Sequence, residues 1–352
     1  MGHAHARLRR SGEGVRLRVF VPREVVRNPY YSGAVSDHFD GLRFFPPGGA
    51  RDKSLADLWR MMRSPQRRTP WPTNMPAMPL DHPPERVEGR ALRVSLIGHS
   101  SFLIQTEGVN LLLDPVWAER AGPFGILGPK RATPPGIAFR DLPPLDAILV
   151  SHNHYDHMDI ATLSRLARLR PCPILTPLGN DALLRRADAQ LDARAFDWGE
   201  SAAVGAVRVH FEPALHWSAR GRGDRRMALR ASFVIEGAGG RVYCAGDTGY
   251  GDGSIFRGLA RKHGPVRLAL IPIGAYAPRW FMRDQHCDPD EAVRIFQDIE
   301  AERAFACHWG AFRLTEEPYH EPVERLAAAL ARERIDPARF AAGPPGSVIE
   351  IP

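Results

Sequence analysis

Residues 151–159 read SHNHYDHMD, three histidines and two aspartates in nine positions, directly after the apolar run Ala147-Ile148-Leu149-Val150. A short apolar run bounded by turn-forming residues reads as a buried strand, so the polar cluster opens at a strand's C-terminal end. Side chains alternate along an extended segment, which turns His152 and His154 to the same side. Asp156 and His157 follow in the turn toward IATLSRLARL, whose apolar spacing predicts a helix. The stretch therefore offers two groups of ligands: a histidine pair suited to one divalent ion, and an Asp-His pair displaced enough to serve a second.

Two ions need more ligands than this loop holds. Farther along, His216 in EPALHWS, Asp247 in YCAGDTGY and His308 in FACHWGAF each stand just past a strand-like run, within or after AVRVHFEP, RVYCAGD and AFACHWG. Asp247 has two carboxylate oxygens and so can bridge two metals. Taken alone, His216 or His308 reads equally well as a hydrogen-bonded core histidine; their joint recurrence at strand ends is what points to a metal centre. RVSLIG, SFLIQT and NLLLDP, with a turn at Glu107-Gly108-Val109-Asn110, read as further strands, as do LALIPIG and ASFVIEG, the latter joined to RVYCAGD through Gly237-Ala238-Gly239-Gly240. DPDEAVRIFQDI, opening on an Asp cap and Pro, and PVERLAAALARER read as helices.

The set His152-x-His154-x-Asp156-His157, then His216, Asp247 and His308, resembles the motif set of the metallo-β-lactamase superfamily. GHSSFLI, LLLDPVW, LGPKR, LPPLDAILVSHNHYDHMD, CAGDTGY, IPIGAYAPRWFM, QHCDPDEAV and HWGAF occur in the order found in one branch, that of N-acylphosphatidylethanolamine-hydrolysing phospholipase D. NPYYSGAVSDHFDGLRFF is similar to the N-terminal arm of bacterial relatives. The resemblance implies an α/β fold, a four-layer αββα metallo-β-lactamase-like sandwich, with a dinuclear centre at one edge. The ions are usually zinc, and a His/Asp set also accepts iron or manganese. By the family pattern His152, His154 and His216 hold one ion, Asp156, His157 and His308 hold the other, and Asp247 bridges them and can accept a proton. Asp114 would orient one of the histidines, and His99 in GHSS would support the site nearby. Gln285-His286 lies beside the metals in this branch, where His286 would hold or protonate a phosphate oxygen; capping the following helix is the alternative. Where the branch commonly has Leu-Trp-Gly, this chain has Leu229-Arg230-Ala231, which changes a pocket wall.

The implied activity is a phospholipase D-type phosphodiesterase that splits the distal P–O bond of an N-acylphosphatidylethanolamine-like lipid. The nucleophile would be a hydroxide bridging two ions about 3.5–4 Å apart. Ser151 carries no mark of a nucleophile. The alternatives are a lactonase or nuclease on the same scaffold, or a non-catalytic membrane-associated metal-binding protein. A seven-ligand set argues against the last, because structural sites are usually closed, single and four-coordinate.

Among 352 residues, 47 Lys and Arg against 40 Asp and Glu give a formal charge of +7. The arginines are scattered without a basic block interleaved with aromatics, so a nucleic-acid partner is not expected. Cys172, Cys244, Cys287 and Cys307 form no paired spacing and suit a reducing compartment. No apolar run approaches the roughly 20 residues of a membrane span, and MGHAHARLRRSGEG, with His3 and His5, lacks the core of a signal peptide. Cytoplasm is the expected location, with peripheral attachment to the inner face of the membrane as its extension. Residues 1–90, rich in Pro, Gly and Arg, read as an N-terminal arm, and 91–352 as the hydrolase domain. In SLADLWRMMR, Leu55, Leu58, Trp59 and Met62 form one helical stripe, predicted either to cover the domain's core or to lie on a membrane with Arg60, Arg63, Arg67 and Arg68 beside it. PFGILGPKR, with Lys130 and Arg131, repeats that mixture.

Overall fold

Leu92, Val94, Leu96, Phe102 and Ile104 pack into one hydrophobic core, while Ile97 and Leu103, on the opposite faces of the same two strands, pack into another. Strands that are apolar on both sides need cover on both sides, and this chain provides it with a second sheet on one face and helices on the other. The computed structural model describes residues 27–48, 53–63, 70–72, 75, 78, 80–221 and 223–352. His3, His5, Arg67 and Arg68 lie outside the described residues.

Fourteen strands occur among the described residues: β1 (Leu92–Gly98), β2 (Ser101–Thr106), β3 (Val109–Leu113), β4 (Ala147–Leu149), β5 (Ile174–Pro177), β6 (Ala193–Phe196), β7 (Ser201–Val204), β8 (Val207–Glu212), β9 (Ser232–Gly237), β10 (Gly240–Cys244), β11 (Val266–Pro272), β12 (Ala301–Cys307), β13 (Phe340–Ala341) and β14 (Val348–Ile351). They form two mixed sheets, in the orders β14-β1-β2-β3-β4-β5-β6 and β13-β12-β11-β10-β9-β8-β7. In each sheet an antiparallel meander continues into parallel strands, β3 to β6 in one and β10 to β13 in the other.

The helices are α1 (Leu55–Met62), α2 (Ile160–Leu169), α3 (Asn180–Ala187), α4 (Ser254–His263), α5 (Arg279–Met282), α6 (Pro289–Asp298) and α7 (Glu321–Arg332). Leu163, Leu166, Leu183 and Leu184 of α2 and α3 cover the outer face of the first sheet. Phe256, Leu259, Val293, Phe296, Leu326 and Leu330 of α4, α6 and α7 cover the second. The layers therefore run helix, sheet, sheet, helix, as expected. α3 and α4 were not anticipated; each starts on a glycine in the left-handed region, Gly179 (φ 83°) and Gly253 (φ 77°), without a side-chain cap.

Of the α1 stripe, Leu58 and Trp59 do not cover the core, the first of the two alternatives. Leu58 is 40% and Trp59 59% exposed. The helix is fastened instead at its edges, by Lys53 Nζ to Asp284 at 2.9 Å and by the Arg60 guanidinium 4.5 Å over the Trp280 ring. Arg131 also departs from expectation. It turns inward, donating to Val116 O (2.8 Å) and Ala118 O (3.2 Å) across the Phe312 ring, and so is committed to the fold rather than to a surface. No helix among the described residues is long and apolar enough to cross a membrane.

Candidate metal centre

Parallel strands point their carboxyl ends the same way, and loops leaving those ends gather at one rim of the sandwich. β1 releases His99, β3 Asp114, β4 the 151–159 loop, β10 Asp247 and β12 His308. His99 (φ 57°), Asp114 (φ 40°) and His308 (φ 60°) follow their strands immediately and all hold left-handed backbone. Non-glycine residues in that region carry strain, and strain gathered at one rim is characteristic of a functional site.

The seven residues predicted to meet do meet, in two groups. His152 Nε2 and His216 Nε2 lie 2.9 and 3.2 Å from His154 Nδ1. On the other side, His308 Nε2 and His157 Nε2 lie 3.4 and 3.6 Å from Asp156 Oδ2. Asp247 stands between them: Oδ1 is 3.2 Å from His157 Nε2 and 3.0 Å from His308 Nε2, while Oδ2 is 3.5 Å from His216 Nε2 and 3.8 Å from His152 Nε2.

Hydrogen bonds at the far side of three rings, those of His157, His152 and His216, set their tautomers. His157 Nδ1 donates to Asp114 Oδ2 at 2.7 Å, the contact expected of Asp114 with a histidine of the cluster. Ser151 Oγ donates to the same Asp114 oxygen (2.7 Å) and is thereby left to accept from His152 Nδ1 (3.0 Å). His216 Nδ1 donates to the backbone oxygen of Gln285 at 2.9 Å. Nε2 of His152 and of His216 is thus left as the acceptor, turned inward toward His154 and Asp247. His157 Nε2, His308 Nε2 and Asp247 Oδ1 are buried with no hydrogen-bond partner, although they stand close together. Donor atoms that converge without bonding one another are what a shared cation requires, so the residues fit divalent metal ions. Asp114→Ala, which frees the ring of His157, is expected to weaken metal affinity about 10–100-fold, measured by competition with a chelating dye.

Electrostatics separate the two groups further. Burial presses His152 and His216 well below the ordinary imidazole range and His154 down to about 4. Burial acts on His308 and His157 as well, but Asp247 and Asp156 outweigh it, lifting His308 to about 9 and His157 well above its usual value. The carboxyl of Asp247 would be raised by burial, yet His157, His308 and His286 hold it far down. A cation entering beside His157 and His308 therefore exchanges for protons.

His99 donates Nε2 to Asp156 Oδ2 at 2.9 Å and is buried to a value of about 3. His286 Nε2 lies 4.0 Å from Asp247 Oδ2, with its ring 4.8 Å from that of His216 and 5.3 Å from that of His308. The alternative of a helix cap does not hold for His286, because Asp288 caps α6 in a reciprocal box with Glu291. Burial pulls His286 to about 3, so it offers a neutral N–H rather than a proton to give away.

Four supporting groups were missed by sequence reasoning. Besides Ser151 and the Gln285 carbonyl, Arg220 Nη1 donates to Asn153 O (3.1 Å) and Met158 O (2.7 Å), and Tyr155 OH donates to Arg220 O (2.9 Å). Together they pin both ends of the histidine loop. Their sequence distance from it, or their use of backbone atoms, leaves no local pattern to find. A further grouping, His210, Glu212 and His263, lies outside this rim, and there Lys262 Nζ already neutralises Glu212 Oε1 at 2.6 Å.

Residues 109–309 match the family described as "Beta-lactamase superfamily domain". N-acyl-phosphatidylethanolamine-hydrolyzing phospholipase D 1 of Caenorhabditis elegans is 37% identical over 265 residues, which covers 72% of this chain and 74% of that protein. An uncharacterized protein of Mycobacterium tuberculosis is 41% identical over 254 residues, 71% of this chain and 67% of that protein. Among solved structures, isothiocyanate hydrolase from Delia radicum gut bacteria superposes with a TM-score of 0.57 at 19% identity, covering 73% of this chain and 98% of that one; the likeness is one of fold.

Proposed function

This chain belongs to the β-lactamase superfamily and is a metal-dependent hydrolase of that fold, and from that premise we propose that it is a phospholipase D-type phosphodiesterase acting on N-acylphosphatidylethanolamine-like lipids. The observation that carries this reading is the identity to the nematode phospholipase across most of both chains. Residues 91–352 act as the hydrolase domain and 1–90 as its arm.

In this reading His152, His154 and His216 would hold one divalent ion, Asp156, His157 and His308 would hold the second, and the Asp247 carboxylate, set between the two groups, would serve both. Zinc suits such nitrogen and oxygen donors. Ions there supply activation of water and neutralisation of charge on the phosphoryl oxygens. The chain's own groups do the rest. His99 steers Asp156, Asp114 and Ser151 steer His157 and His152, and His286 presents a neutral donor to a phosphoryl oxygen. Water adds to phosphorus, the distal P–O bond breaks, and the departing N-acylethanolamine oxygen takes up a proton, leaving phosphatidic acid.

A lipid substrate also needs an apolar approach. A groove of about 440 Å³ runs beside the histidine loop, with Phe124, Ile160 and the Tyr155 and Arg220 side chains in its walls. Phe124 of its wall is 90% exposed and Ile126, two residues on, 70%; Trp59 and Trp280 are exposed as well. Such a surface supports peripheral docking on the inner face of a membrane.

Purified protein of measured metal content, assayed against an N-acyl phospholipid, a soluble phosphodiester, a lactone and RNA, tests the reading; a marked preference for lactone or RNA would overturn it. In the same assay His286→Ala is expected to keep its metal and lose about 100-fold in turnover, with His286→Gln, a neutral donor, recovering part. Loss of metal from His286→Ala would make it a ligand instead.

A further inference from the structure

The turn that carries Asp247 rests on a buried cation. Arg230 is 2% exposed, and its Nη2 donates to Ala245 O at 2.6 Å, two residues before Asp247. Nε and Nη1 of the same guanidinium have no hydrogen-bond partner. Gly246 has left-handed backbone (φ 55°), and a Cβ there would stand 3.2 Å from Arg230 Nη2 and 3.2 Å from Ser151 Oγ. The guanidinium therefore lies against the Gly246 turn, with Ser151 of the histidine loop alongside. The backbone on either side is held too: Trp198 Nε1 donates to Arg230 O at 2.8 Å, and Ala231 N donates to Ser151 O at 3.1 Å.

A buried charge without an ion pair costs stability, and polar groups that break the packing rules concentrate where function requires them. Asp247 is the anion that acts most strongly on this guanidinium. An apolar side chain would fill the same space without the desolvation cost, but it could neither hold Ala245 O nor place a positive charge near Asp247.

We propose that Arg230 is a positioning residue for Asp247, a strut that fixes the Gly246-Asp247 turn so that each carboxylate oxygen faces its own histidine group. This rests on the reading of Asp247 as a bridge between two ions. The guanidinium's hydrogen bond goes to Ala245 O rather than to a ligand side chain, and its effect passes through the turn.

Three variants of the full chain test it. Arg230→Met removes donor and charge at similar length, Arg230→Gln keeps a donor alone, and Arg230→Lys keeps charge and one donor. Ion affinity is measured by chelator competition, and the bridge by the exchange-coupled electron paramagnetic resonance signal of two bound manganese ions. Arg230→Met is expected to raise the dissociation constant of the weaker ion about tenfold or more and to abolish the coupled signal, with Arg230→Lys recovering most of both. A folded Arg230→Met protein with wild-type affinity and coupling, or with tighter binding, overturns the strut. Should Arg230→Met not fold, Gln and Lys decide: Lys retaining the coupled signal and Gln losing it supports the proposal, and equal behaviour overturns it. If the wild-type protein binds a single ion, the bridging reading falls and the strut falls with it; if wild type and Arg230→Met both bind two coupled ions, the strut alone falls.

Discussion

Asp247→Ala is expected to lose at least one of the two ions proposed above and to reduce hydrolysis by about 1000-fold or more, the loss of several kcal/mol of charge stabilisation. No other residue of the centre faces both groups: Oδ1 approaches His157 and His308, and Oδ2 approaches His152 and His216. Removing it leaves each group one donor short. It also leaves His157 and His308 without the carboxylate that most raises them, so their protons loosen and the centre's charge balance shifts. Asp247→Asn keeps the shape but offers one carbonyl oxygen and no negative charge. It is expected to retain one ion and little activity. Elemental analysis of both variants beside their hydrolysis rates checks this, and wild-type stoichiometry with wild-type rate in Asp247→Ala would remove the bridge from the account.

The second large effect concerns the membrane. Burying an exposed aromatic side chain contributes roughly 1.5–3 kcal/mol, and each basic residue near an anionic surface adds about 1 kcal/mol. Trp59, on α1, and Phe124, on the loop before Ile126, are both exposed aromatic side chains. Replacing both by Asp is expected to lower binding to anionic vesicles about 100-fold or more, and turnover of vesicle-borne N-acyl phospholipid in step with it. Metal content and cleavage of a soluble phosphodiester should be unchanged, because neither side chain touches the centre. Wild-type binding should weaken with added salt. Cosedimentation with vesicles measures all of this; a double variant that binds and turns over vesicle lipid like the wild type would place the docking surface elsewhere.

The centre was legible in the sequence because its parts obey two local rules. Short apolar runs mark β4, β10 and β12, and His or Asp residues follow them within a few positions, so residue type and strand end coincide. Helices α2 and α6 were equally readable, α2 from its apolar spacing and α6 from the Asp288 cap and the proline after it. α3 and α4 were not, because Gly179 and Gly253 start them through backbone conformation alone, and a glycine there reads as a loop. The supports were hidden for a different reason. Arg220 reaches back 62 residues to Met158, and the Gln285 backbone oxygen reaches 69 residues to His216. No periodicity spans such distances. The α1 stripe left two alternatives open because amphipathic spacing says which side of a helix is apolar and not what that side meets.

Hydrolysis in ¹⁸O-labelled water, with the products of an N-acylphosphatidylethanolamine resolved by mass spectrometry, tests the central claim most directly. Attack on phosphorus at a two-metal centre puts the label in phosphatidic acid and none in the N-acylethanolamine, and that is the expected result with protein holding two ions per chain. Label in the N-acylethanolamine, or no cleavage of this lipid by fully metal-loaded protein, would contradict the account.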